Sequence, residues 1–113
     1  MIDRYVAIQT ILGKVQDDDL VLSTTGMISR EVFFSEDRAA NFYMIGSMGL
    51  LSSFGLGLAL QSPHKRVYVL EGDGSALMSL GTLPLIASER PTNLVHFILD
   101  NEAYESTGVQ PSI

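Results

Sequence analysis

The sequence predicts an α/β fold, a parallel sheet flanked by helices. Three observations predict it. Short apolar runs of strand length recur at Leu20–Leu22, Asn41–Ile45, Arg66–Leu70 and Leu94–Leu99. Helix-compatible stretches separate them, at 27–34, 50–60 and 76–88. No hairpin signal joins one run directly to the next, so strand and helix alternate and the strands are expected to run parallel.

The elements follow in order. Met1 to Val15 reads as a helix with an imperfect apolar face of Val6, Ile8, Ile11, Leu12 and Val15, weakened by Gly13. Asp17-Asp18-Asp19 is three carboxylates in a row. That pattern can hold a metal, but a solvated turn is the expected reading. The first strand ends in Ser23-Thr24-Thr25-Gly26, and Met27 to Phe34 follows as a helix. Hydroxyls and a glycine between strand and helix suit an anion. Taken alone they favour a Ser/Thr helix cap. Arg30 and Glu31 can pair with each other or meet a ligand, and a surface role is expected.

After the second run, Gly46-Ser47-Met48-Gly49 makes a small-residue turn into the Leu50 to Leu60 helix. Gly55 and Gly57 weaken that helix and let it approach a sheet, a ligand or another chain. Pro63 to Arg66 is a turn with His64 in solvent. Ala76 to Ser88 is a helix with Leu77, Leu80, Leu83 and Ile86 or Ala87 on one face, kinked at Gly81 and Pro84. Glu89 to Asn93 is a turn. His96, inside the fourth run, reads as a hydrogen-bonded core histidine rather than a catalyst. Glu102 to Ile113 reads as loop, with Gly108 and Pro111 preventing a long helix.

Bulk properties narrow the function. The chain has 113 residues, enough for one domain (residues 1–113) that buries roughly two thirds of its unfolded surface. It is 46% hydrophobic and 18% charged, with a formal net charge of −6. An acidic chain with no basic stripe repels phosphate backbones, so no nucleic-acid partner is expected. Cysteine is absent, which removes disulfides and thiol chemistry and fits a cytoplasmic protein. Asp3 and Arg4 precede an amphipathic segment, not a secretory one. Ala39 to Pro63 carries no charge, but its polar residues and four glycines favour a buried strand-loop-helix over a membrane span, so no membrane partner is expected.

Ligands of parallel α/β folds collect at the carboxyl ends of the strands. The Thr24-Thr25 loop, Gly46-Ser47-Met48-Gly49, Gly72-Asp73-Gly74-Ser75 and Asp100-Asn101 all follow expected strands and would share one edge. Gly-Asp-Gly alone also makes ordinary tight turns. The partner raises its weight. Residues 75 to 99, 25 positions, lie between Gly74 and Asp100, enough for one helix and one strand in a right-handed crossover. Asp73 then offers an anionic oxygen and Asn101 a neutral one. Mg²⁺ commonly takes one or two protein carboxylates and completes its octahedron with water and phosphate oxygens. The glycines let backbone N–H groups reach those phosphates, so the edge reads as a magnesium–diphosphate anchor.

Gly72-Asp73-Gly74, the 25-residue gap and Asp100-Asn101 resemble the motif of thiamine-diphosphate-dependent enzymes. That motif usually ends in Asn-Asn; here Asp100 replaces the first Asn, and the metal-binding second Asn is retained as Asn101. The strings 41–49 and 100–108 are similar to sulfopyruvate decarboxylase β subunits and phosphonopyruvate decarboxylases. The resemblance covers essentially the whole chain and implies the pyrophosphate-binding domain of such a decarboxylase. It implies Mg²⁺ on Asp73, the Asn101 side chain and the Ala103 carbonyl. It implies thiamine diphosphate held by Gly72, Gly74, Ser75, Thr24 and Thr25 at the diphosphate, and by Gly46, Ser47 and Met48 farther along. Met48 would prop the cofactor's bent form, and the Gly46 carbonyl would meet its aminopyrimidine. The cofactor would serve as the electron sink for loss of CO₂ from a small anionic 2-oxo acid.

In this family the activating glutamate stands on a separate pyrimidine-binding domain, and nothing in these 113 residues supplies it. The catalytic acid is therefore expected on a partner (α) subunit, in an oligomer. The family's module also continues past Pro111, so the chain is expected to be truncated at its C-terminus and inactive by itself. Arg30 is the one basic candidate near the cofactor edge for an anionic substrate. The alternative that the fold allows is a non-enzymatic flavodoxin-like module binding a nucleotide or phosphate at the same edge.

Overall fold

The computed structural model describes residues 4–24, 26–44, 49–72, 81–89, 91–99, 103–104 and 110–111. Four strands, β1 (Leu20–Ser23), β2 (Asn41–Tyr43), β3 (Val67–Gly72) and β4 (Leu94–Leu99), form one sheet in the order β2-β1-β3-β4. All three pairings are parallel, as the alternation of elements requires. Helices α1 (Arg4–Leu12), α2 (Met27–Ser35), α3 (Leu51–Gln61) and α4 (Thr82–Glu89) intervene.

Both faces of the sheet are covered. On one, Ile8, Ile11 and Leu12 of α1 and Ile28 and Val32 of α2 pack against Val21, Tyr68 and Leu70. On the other, Leu51 and Ala59 of α3 pack against Leu22, Val67 and Val69. This is why β3 is buried along most of its length and reads as a continuous apolar run rather than an alternating one. Strand β4 is only partly buried, as an edge strand is.

Element boundaries shift for identifiable reasons. Helix α1 stops at Leu12, not Val15. Gly13 still donates to Gln9 O, but Lys14 and Val15 donate three residues back, to Ile11 and Leu12, so the chain tightens and leaves the helix. Val6, counted on the apolar face, is half-exposed. Helix α4 begins at Thr82, after a turn at Gly81. Pro84 therefore sits in a first turn, where a missing N–H costs nothing, and is not a kink within a longer helix. The upstream part of that expected helix, with Leu77 and Leu80, lies outside the described residues. The 102–113 segment contains two short strands rather than loop alone: β5 (Ala103–Tyr104) pairs antiparallel with β6 (Gln110–Pro111).

Two turns are built more firmly than their composition suggests. Asp19 is buried rather than solvated, and its Oδ2 accepts the Gln16 N–H at 2.8 Å. Arg38 donates to the carbonyls of Gln16, Asp17 and Asp19 and to Asn41 Oδ1. The acidic turn is thus a structural joint, and no cluster of three acids or histidines able to hold a metal occurs among the described residues. Asn93 Nδ2 donates to the carbonyls of Ala59, Ser62 and Lys65, pinning the start of β4 to the end of α3. No helix among the described residues is long and apolar enough to cross a membrane, and Ala39–Pro63 holds a strand and an 11-residue helix.

Candidate functional site

Strand order places a switch point between β1 and β3. From β1 the chain moves outward to β2 over the α2 face, then returns past β1 to β3 over the α3 face. In open α/β sheets the usual ligand position is outside the carboxyl ends of the strands at such a switch point, here the ends of β1 and β3. The register aligns these ends: Ser23 pairs with Tyr43 and with Leu70, and Gly72 pairs with Leu99. Gly72 and Leu99 immediately precede Asp73 and Asp100 in the chain, so the two halves of the Gly-Asp-Gly and Asp-Asn pair follow register partners.

Around the β1 end the backbone is tightly specified. The Thr24 N–H donates to Leu70 O at 3.0 Å, extending the ladder by one residue. The Ser29 hydroxyl donates to the Thr24 carbonyl and lies 3.2 Å from the Ser23 hydroxyl. Ser23 and Thr24 are buried. Gly26, at φ 78° and ψ −140°, turns the chain into α2. It is the N-cap, with no side-chain cap hydrogen bond, so the expected Ser/Thr cap does not form. The N-terminus of α2 follows the carboxyl end of β1, and the first N–H groups of a helix suit an anion. Helix α3 starts in a similar way, after Gly49 at φ 96°, with Leu50 as an N-cap lacking a side-chain bond.

Gly72 lies beside α2: a Cβ there would meet Ile28 Cδ1 at 3.4 Å and Leu99 O at 3.9 Å. The side chain that glycine omits would occupy the space between β3 and the start of α2. At the β2 end, the Tyr43 hydroxyl donates to Asp37 Oδ1 at 2.7 Å and accepts from Asn41 Nδ2 at 3.0 Å. Its pKa is raised, chiefly by burial; the Asn41 bond opposes this, and the bond to Asp37 and that residue's charge add to it.

Of the residues singled out from the sequence, Thr24 and Gly72 stand at the carboxyl ends of β1 and β3, beside the switch point. Ala103 opens β5. Thr25, Gly46, Ser47, Met48, Asp73, Gly74, Ser75 and Asn101 lie outside the described residues. Glu31 pairs with Arg4 (Nε to Oε1 2.6 Å) rather than with Arg30, which is exposed one turn into α2. His96 is hydrogen-bonded in the sheet as expected, its Nε2 2.6 Å from Glu71 Oε1.

Two residues at this edge escape sequence reading. Ser29 gives no signal, because its role depends on the phase of α2 against the β1 loop. Glu71 does leave one: it is a lone carboxylate in a strand otherwise reading as buried.

A doubly wound parallel sheet with glycines at the start of α2 and the end of β3, beside its switch point, has the form of a phosphate-binding α/β module. Residues 24–113 match the family described as thiamine pyrophosphate enzyme, C-terminal TPP binding domain, and the chain belongs to that family.

The relatives agree. Sulfopyruvate decarboxylase subunit beta of Methanothermobacter thermautotrophicus is 50% identical over 110 residues, 97% of this chain and 58% of the relative. Phosphonopyruvate decarboxylase of Streptomyces hygroscopicus is 46% identical over 110 residues, 97% of this chain and 27% of the relative. The chain therefore spans between about a quarter and three fifths of these relatives. Among solved structures, a 2-oxoglutarate:ferredoxin oxidoreductase from Magnetococcus marinus superposes with a TM-score of 0.73. The match covers 96% of this chain and 36% of that one at 23% identity, a likeness of fold alone.

Proposed function

We propose that residues 1–113 form one pyrophosphate-binding domain of a thiamine-diphosphate- and Mg²⁺-dependent decarboxylase acting on a small anionic 2-oxo acid of the sulfopyruvate or phosphonopyruvate type. One observation carries this reading: 50% identity to a sulfopyruvate decarboxylase β subunit across 97% of the chain. The relative's name "subunit beta" supports a partner subunit; in this reading a pyrimidine-binding (α) subunit would supply the activating glutamate. A chain without cysteine or a long apolar helix among its described residues is consistent with work in the cytoplasm. Family membership also answers the alternative left open by the fold, since the matched domain binds thiamine pyrophosphate.

The described residues fit the cofactor. The start of α2 at Gly26 and the missing side chain at Gly72 would provide donors and room where a diphosphate is expected. Asp73, the Asn101 side chain and the Ala103 carbonyl would hold Mg²⁺. Gly74, Ser75 and the Thr24-Thr25 loop would hold the diphosphate, with Gly46, Ser47 and Met48 toward the aminopyrimidine. Thr24 can contribute only its hydroxyl, because its N–H is taken by Leu70. When bound, thiamine diphosphate supplies the electron sink for loss of CO₂. This chain's part is to orient the cofactor and neutralise its diphosphate through the cation.

Recognition of a doubly anionic substrate falls largely to the partner. The chain carries net charge −6. Arg4 is paired with Glu31, and Arg38 is spent on the acidic turn. Arg30 is this chain's candidate contribution.

The test is calorimetric titration of thiamine diphosphate with Mg²⁺, with and without the pyrimidine-binding partner, followed by CO₂ release from sulfopyruvate and phosphonopyruvate. Asp73→Ala is expected to abolish Mg²⁺-dependent binding. Unchanged binding by that variant would sink the metal assignment.

A further inference from the structure

The pair formed by Glu71 and His96 is the least expected feature of the sheet. Glu71 is fully buried, at 0% exposure, and the His96 side chain is 13% exposed. Nε2 of the imidazole is hydrogen-bonded to Glu71 Oε1 at 2.6 Å. The two belong to the α3 face of neighbouring strands and meet on a diagonal: Val69 is opposite His96, and Glu71 is opposite Ile98. Burying a carboxylate and an imidazole is costly, and well-packed apolar residues usually serve stability as well or better. Stability alone therefore does not account for this pair.

Its position offers another account. Apart from His96, both faces of β4 are apolar: Leu94 and Ile98 on one, Val95, Phe97 and Leu99 on the other. Among the described strands, β4 pairs with β3 alone. Apolar packing on both faces restrains the height of an edge strand only loosely, because a one-residue slip moves every side chain to the other face and here exchanges one apolar set for another. Two polar fastenings restrain it. Asn93 holds the amino end of β4 to three carbonyls at the end of α3 and the turn before β3. Glu71 and His96 hold the carboxyl half, one residue before Gly72 ends β3 and three before Leu99 ends β4.

The cation ligands proposed above follow those two ends. Mg²⁺ demands oxygens at about 2.0–2.1 Å in near-octahedral array, whereas one residue of slide displaces a strand end by roughly 3.3 Å. Resting on the thiamine-diphosphate reading, we infer that Glu71 and His96 are positioning residues, a cross-strand fastening that sets the relative height of the β3 and β4 ends so that Asp73 and Asn101 meet one Mg²⁺.

The experiment uses this chain assembled with its pyrimidine-binding partner and measures the Kd for Mg²⁺ at saturating thiamine diphosphate beside the melting temperature. The double variant Glu71→Leu/His96→Leu is expected to melt at or above the wild-type temperature and to bind Mg²⁺ at least tenfold more weakly. His96→Gln, which keeps a donor, should come within threefold of wild type, while His96→Leu should not. A purely structural pair would move the melting temperature and leave the Kd alone. A double variant that binds within twofold of wild type overturns the inference. If that variant fails to fold, equal Kd values for His96→Gln and His96→Leu overturn it instead. A wild-type protein showing no Mg²⁺-dependent binding overturns the cofactor reading itself, and this inference with it.

Discussion

Gly55 and Gly57 look alike in the sequence and do opposite things in the structure. A Cβ on Gly55 would collide with Val69 Cγ2 and stand 3.3 Å from Leu22 Cδ1, so this glycine sets how closely α3 lies on the sheet. A Cβ on Gly57 would meet nothing within 4 Å. Val69 is fully buried and β-branched, hence unable to swing aside. Gly55→Ala should therefore cost about 1–3 kcal/mol by overpacking. Gly57→Ala should stabilise by about 0.5–1 kcal/mol through helix propensity. Urea unfolding of the two variants checks both, and equal shifts would contradict the packing described. The sequence shows that small residues recur in this helix; which of them touches the sheet depends on helix phase. His96 was legible because a histidine in an apolar strand needs a partner. The identity of that partner was not, since Glu71 lies 25 positions away and meets it only through the β3–β4 register.

At the scale of elements, the entry into α2 is the joint that sets where this helix starts beside the switch point. Its backbone passes through φ 78°, ψ −140° at Gly26, a region that L residues rarely adopt. Gly26→Ala is expected to destabilise by about 1–3 kcal/mol. It should also weaken thiamine diphosphate binding, because the first N–H groups of α2 would be re-aimed; thermal melting and calorimetry on the same variant read both effects. A loss of stability with unchanged affinity would remove α2 from the diphosphate site. The Ser/Thr-rich approach to this helix suggested a conventional cap. The structure instead makes Gly26 the N-cap and uses the Ser29 hydroxyl to brace the Thr24 carbonyl. Pro84 shows the same limit of local reading. A proline in a helical pattern signals an interruption, and the structure makes it the first turn of α4 after Gly81.

For the molecule as a whole, the exposed flank of the sheet is the feature with consequences. Beside β4, a cavity of about 310 Å³ is lined by Thr10, Ile11, Lys14, Tyr68, Val95 and Phe97. Ile98 of the same strand is 44% exposed. An edge strand with apolar side chains is a template for pairing. The 113-residue chain expressed alone is therefore expected to self-associate as its concentration rises, and Ile98→Lys should reduce this. Sedimentation velocity over a concentration series measures it; a monomer at all concentrations would contradict the expectation.

The amino-acid sequence by itself determined the kinds of element in the four-stranded sheet, the parallel α/β class and the family. Apolar period, chain length between runs and the Gly-Asp-Gly to Asp-Asn spacing are local or linear properties of the chain. Tertiary structure alone decided the order β2-β1-β3-β4 and hence the switch point between β1 and β3. It also decided which glycine presses on the sheet and how the two strand ends are fastened by Glu71 and His96. These depend on which strands become neighbours and at what height. Pairing of strands far apart in sequence is set by packing on both faces at once, and no short stretch of the chain encodes it.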